Sequence, residues 1–177
     1  MKPPARIARD ILGQLRSAGN PRRGRMMASE YMSSTLEHLG CTVPDVRRVA
    51  RAHARDLRAS PEVAVDVALA LVAQNNHDSR QVAYELLGAL PPARDALTVE
   101  ELEGLARGND NWAAVDCFCS TLSGPQYSAG ILAPGVLERW AVSADPWTRR
   151  TALATIATAF QRAGLRERSP VEPSLRV

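Results

Sequence analysis

An all-α fold, an α-solenoid of antiparallel helix pairs, is predicted by three features of the sequence. Apolar residues recur at three- and four-residue spacing along successive segments. Short turns built from Gly, Pro and Asn divide these segments, and no run alternates with the period of a strand. Aromatic residues make up only 5% of the chain while alanine is abundant, which suits close-packed helices better than sheets. About eight or nine helices joined in this way bury their faces against their neighbours, as in a solenoid. No repeat is obvious in the sequence, and a compact bundle is the alternative. The 177 residues can bury one sizeable core. They read as a single helical-repeat domain over residues 1–164, then a disordered tail, residues 165–177, without periodicity.

The first helix is expected over residues 5–18, where Ile7, Ile11, Leu12 and Leu15 share a face and Gly19-Asn20-Pro21 ends the run. Arg22, Arg23 and Arg25 read as a basic loop into a second helix through Met26, Met27, Tyr31, Met32, Leu36 and Leu39, closed by Gly40. Methionines at that spacing are core filler more often than ligands. Thr42 and Pro44 open a third helix, with proline in the first turn where its missing N–H is harmless. Along it Arg47, Arg51, Arg55 and Arg58 line one face, either as solvated surface or as a row of phosphate contacts. His53 on the same helix reads as a bystander.

Ser60-Pro61-Glu62 caps a fourth helix reaching about Gln74. Asp78 with Gln81 resembles a capping box for a fifth, and Thr98 with Glu101 another for a short helix to Arg107. His77 falls in the loop before the fifth helix, without a partner at metal spacing. Asn109-Asp110-Asn111 then caps a helix opening near Trp112, whose Trp112, Val115, Cys119 and Leu122 form a core-facing stripe. A less regular segment follows Ser123-Gly124-Pro125. Pro134 opens the next helix, and Asp145-Pro146 caps the last, from Trp147 to Ala163.

The net charge of +3 is carried almost wholly by arginine, with Lys2 the sole lysine. Arginine forks grip phosphate oxygens bidentately, although codon usage gives the same bias. Mild basicity permits nucleic-acid binding without requiring it. Cys41, Cys117 and Cys119 fit neither a disulfide framework nor a zinc site, so they read as free thiols in a reducing compartment. No signal-peptide pattern precedes the first helix, and no apolar run nears the roughly 20 residues that span a bilayer. A soluble cytoplasmic monomer without a membrane partner is expected.

Two places concentrate chemistry. Asp116 lies one helical turn after Trp112, at the edge of the apolar stripe. A carboxylate held against an indole needs a donor or a cation, so it caps a neighbouring helix, pairs with an arginine or serves a reaction. Trp147, Arg149 and Arg150 occupy the first turn of a capped helix, where backbone donors and the dipole favour an anion. Together they suggest phosphate held beside a developing positive charge. Cleavage of an N-glycosidic bond in a nucleic acid presents both, because the sugar gains oxocarbenium character.

Three segments resemble the DNA alkylation repair (AlkD-like) glycosylases, which are built from HEAT-like helical repeats. They are Glu30-Tyr31-Met32 with Leu39 through Pro44 and Arg47-Arg48; Asn111-Trp112-Ala113-Ala114-Val115-Asp116; and Trp140 through Trp147-Thr148-Arg149-Arg150-Thr151-Ala152. Their order and spacing are similar to the family's from about Met26 to Phe160, in a chain that looks shortened at its C-terminus. The resemblance implies a HEAT-like or ARM-like solenoid and a hydrolase that removes cationic N3- and N7-alkylated purines from double-stranded DNA without rotating the base out of the stack. It implies that Asp116 stabilises the oxocarbenium ion and orients water, that Trp112 contacts the deoxyribose and that Arg150 contacts a flanking phosphate. Arg149 and Trp147 stand beside Arg150, Tyr31 would lie near the DNA backbone, and Arg47 and Arg51 would be secondary phosphate contacts. No metal or nucleotide cofactor is implied. The alternatives are a family member that binds DNA without cleaving it, and a protein-binding helical scaffold in which Asp116 and Arg150 form an interior ion pair.

Overall fold

Proline and small polar caps start most of the helices. The computed structural model describes residues 2–162, and among them there is no strand, only an isolated bridge between Glu37 and Asn76. The expected tail, residues 165–177, lies outside the described residues. The chain is all-α and divides into two compact units, one through Leu97 and one from Thr98.

The first unit holds α1 (Pro4–Ala18), α2 (Pro21–Met26), a π-helical segment (Met27–Met32), α3 (Val43–Leu57), α4 (Pro61–Val72), α5 (His77–Gly88) and α6 (Pro91–Asp95). Within it α4 packs on α1 and α5, and α5 on α3, the neighbour-on-neighbour stacking of a helical solenoid. Its core is mostly aliphatic, from Ile11 and Leu15 through Val49, Leu71 and Leu86, and Tyr84 is fully buried as well. α3 opens at Thr42 and Pro44 as expected, and Thr42 and Asp45 form a capping box there that the sequence reading did not single out.

Several local expectations fail here, and for the second helix and Asp78 a distant contact wins. Arg22 and Arg23 are not in a loop: Asn20 accepts their N–H groups and starts α2. The second helix stops at Met32 instead of running to Leu39, with Ser33 in the left-handed region at φ 50°. The chain beyond it is held by α5. Glu37 exchanges backbone hydrogen bonds with Asn75 and His77, and the Asp78 carboxylate accepts the N–H groups of Leu39 and Cys41 at 2.7 and 3.0 Å. Asp78 is thereby diverted from the expected capping box, and Asn76 caps α5 by accepting from Ser79 N–H at 2.9 Å. His77 is the buried first residue of α5, stacked on His38 with ring centroids 4.3 Å apart. Of the methionines in the second helix, Met32 is buried as expected while Met26 is exposed.

The second unit holds α7 (Val99–Ala106), α8 (Trp112–Phe118), a second π-helical segment (Cys119–Ser123), α9 (Gly124–Ser128), α10 (Pro134–Ala141) and α11 (Pro146–Arg162). The Thr98–Glu101 capping box forms as expected. α11 is the central element, packed against α8, the π segment, α9 and α10. The break expected at Ser123-Gly124-Pro125 is instead a helical continuation. The wider π turn changes register ahead of Pro125, which then sits in the first turn of α9, where no N–H is missed. Gly124 allows the approach of α11, since a Cβ there would lie 2.6 Å from the Cys119 carbonyl oxygen and 2.9 Å from Thr158 Cγ2. Among the described residues no helix is long and apolar enough to cross a membrane.

Candidate functional site

The site is built on α8. Asn111, fully buried, accepts the Ala114 N–H at 2.9 Å and starts the helix where its sequence predicts. Ala114, Val115 and Phe118 are completely buried and define the inward face. Trp112 and Asp116, four residues apart, share the other side. Trp112 is 38% exposed and not part of the core stripe expected for it. The stripe was drawn at α-helical period through Cys119 and Leu122, which are buried but belong to the π segment, where the residues per turn change.

α11 brings the cation. Asp145 caps it, accepting the N–H groups of Trp147 and Thr148 at 3.3 and 3.0 Å and the Thr148 hydroxyl at 2.7 Å. Burial opposes ionisation of Asp145, but these donors outweigh it and hold the carboxyl below the ordinary carboxylate range. The cap therefore stabilises α11 at neutral pH and weakens as pH falls through that lowered value. The register of α11 is set by buried polar contacts: Ser123 and Thr155 share a hydroxyl hydrogen bond of 2.7 Å, and Cys119 Sγ meets the Thr151 carbonyl at 3.5 Å.

That register places Arg150 against Asp116. Arg150 Nε donates to Oδ1 at 3.2 Å, and Nη2 donates to Oδ1 and Oδ2 at 2.9 and 3.0 Å. Both side chains are 44% exposed, so the pair is at the surface and not sealed in the core. An open depression of about 750 Å³ lies beside it, lined also by Cys117, Ser120, Leu153, Ala157 and Gln161. Sequence reasoning did not place these residues at the site, although those on α11 follow Arg150 at helical intervals.

The other expected site residues are disposed differently. Arg149 Nη1 donates to the carbonyls of Ser143 and Ala144 at 2.8 and 2.9 Å, satisfying chain that follows α10. Trp147 is half-buried in the first turn of α11. Tyr31, Arg47 and Arg51 belong to the first unit. Tyr31 is 60% exposed on the π-helical segment. Arg47 pairs with Glu85 at 2.8 Å, while Arg51 is exposed in a groove on α3 shared with Arg48 and Arg55. Among the described residues no group of three or more His, Cys, Asp or Glu could hold a metal ion.

Cys41, Cys117 and Cys119 are in no disulfide. Burial pushes the thiol of Cys119 up to about 12, and burial followed by the Asp78 charge does the same to Cys41. Neither forms appreciable thiolate at pH 8. Both are expected to stay unmodified when the native protein is treated with iodoacetamide and mapped by mass spectrometry. Rapid alkylation of either would show that its surroundings open in solution.

A family model described as DNA alkylation repair enzyme matches residues 11–171. No curated protein and no solved structure matches the chain.

Proposed function

Because the chain belongs to the DNA alkylation repair enzyme family, we propose that it is a glycosylase that hydrolyses the N-glycosidic bond of cationic N3- and N7-alkylpurines in duplex DNA. One observation carries this reading: Asp116 and Arg150 form an ion pair on an open surface, with the exposed indole of Trp112 one turn away on α8. An interior ion pair, as a plain scaffold would have, is a different arrangement.

In the proposed reaction the bond from C1′ to the purine nitrogen breaks and its electrons neutralise the cationic base, which needs no general acid to leave. Asp116 faces the oxocarbenium charge and orients the water that adds to C1′, receiving its proton. Trp112 lies along the deoxyribose, and Arg150, beside Trp147 and Arg149, holds a phosphate. Tyr31, Arg47 and Arg51 are proposed contacts to the DNA backbone. The test is incubation with methylated duplex DNA and analysis of the free bases, expected to show 7-methylguanine and 3-methyladenine. No release above a heat-inactivated control, with protein in excess, sinks the glycosylase reading. Binding without release leaves a non-catalytic DNA-binding protein.

The Arg150→Ala variant is expected to bind duplex more weakly. Its plot of log affinity against log salt should be shallower by about 0.9, the share of one phosphate contact. An unchanged slope in fluorescence-anisotropy titrations would put Arg150 away from phosphate.

A further inference from the structure

Resting on the glycosylase reading, we propose that the Asp116–Arg150 ion pair is a specificity device: it yields fully only to a ligand that presents an anion and a cation side by side. The guanidinium fork is already committed, with Nε and Nη2 both directed at the carboxylate. Nη1 keeps its hydrogens outside the pair, but a phosphate gripped bidentately through Nε and Nη2 must take over those that the carboxylate holds. Arg149 has fewer donors to offer, because its Nη1 is held by the carbonyls of Ser143 and Ala144. Once Arg150 turns to phosphate, Asp116 keeps its charge next to a second anion, and like charges at that distance repel.

Among the described residues that line the depression, Asp116 and Arg150 are the only charged ones, and none of the others replaces the lost counter-ion. The ligand must supply it. A neutral purine does not, whereas an alkylated, positively charged purine beside the same phosphate does. The pair is thus exchanged on both sides by damaged DNA and on one side by undamaged DNA. Because both partners are 44% exposed, the exchange is opposed only weakly. The discrimination it adds to binding is about fivefold, not orders of magnitude.

The test is a binding cycle on two duplexes, one with 7-methylguanine and one with guanine at the same position. Each carries a 2′-fluorine on that sugar, which withdraws electrons and prevents cleavage. Wild type, Asp116→Asn, Arg150→Gln and the double variant are compared by anisotropy after matched thermal melts. Asp116→Asn is expected to bind the guanine duplex about fivefold more tightly than wild type, with the lesion preference falling towards one. In the Arg150→Gln background the same substitution is expected to change affinity little.

Equal tightening in both backgrounds would reveal only the general field of one removed charge and overturn the exchange. So would unchanged or weaker binding by Asp116→Asn. If the cycle behaves as expected but wild type releases no base from methylated DNA, the exchange stands and the glycosylase chemistry alone falls. If no variant binds either duplex, both fall.

Discussion

Asp116→Asn is expected to slow release of 7-methylguanine from methylated duplex DNA by about a hundredfold or more, the usual cost of removing one preorganised electrostatic partner from a transition state. Asparagine keeps the volume and one acceptor oxygen, so α8 and its buried face should be undisturbed. It carries no charge to oppose the oxocarbenium ion and is a poor base for the attacking water. Single-turnover kinetics with protein in excess isolates this step from product release, which a steady-state rate would mix with it. The accompanying observation is retained duplex binding, since the substitution leaves Arg150 in place and frees its fork. A variant that releases base at more than a tenth of the wild-type rate would remove Asp116 from the reaction. A variant that also loses binding would point to an altered surface, not a missing charge.

How much of this site is legible in the sequence depends on the distance over which each signal acts. The start of α8 at Trp112 is written locally, in Asn111 and the run that follows. The four-residue gap to Asp116 then puts indole and carboxylate on one side of a helix. The partner of Asp116 is 34 residues away on α11, and no local spacing chooses between a helix cap, an arginine and a substrate. The chemistry of the two segments joined Asp116 with Trp147, Arg149 and Arg150, the resemblance chose Arg150, and the structure pairs Asp116 with it. Trp112 was misplaced for a definite reason: a hydrophobic stripe drawn at one helical period does not survive the π segment after Phe118. Arg149, adjacent to Arg150 and indistinguishable from it in sequence, is directed to backbone carbonyls.

The fold divides the same way. Thr98–Glu101, Asn111 and the prolines that open α3, α4 and α10 are short-range devices, and the helices begin where they stand. The second helix carries helical periodicity to Leu39 yet ends at Met32, because Glu37, Leu39 and Cys41 find backbone partners at the start of α5 and just before it. A sequence pattern lists what a helix would bury. It does not reveal the competing acceptor brought up by a helix that starts 38 residues after Leu39.

That acceptor is expected to be the most costly single polar group to remove from the first unit. Asp78 is 4% exposed and takes the N–H groups of Leu39 and Cys41 on its two oxygens. Asp78→Ala leaves both donors without this acceptor, in a segment where the Gly40 backbone lies so close to Asn20 and Gly24 that a Cβ would not fit. Hydrogen bonds to a charged acceptor contribute about 1.5–3 kcal/mol each, and part of that is recovered if water reaches the partly buried donors. A loss of about 3 kcal/mol is therefore expected, read as a lower urea midpoint at unchanged slope. Asp78→Asn, with one acceptor oxygen in place of two, should fall between the variant and wild type. If Asp78→Ala costs less than about 1 kcal/mol, the donors are satisfied elsewhere. In that event the early end of the second helix must come from Ser33, whose left-handed backbone would then be tested by Ser33→Gly.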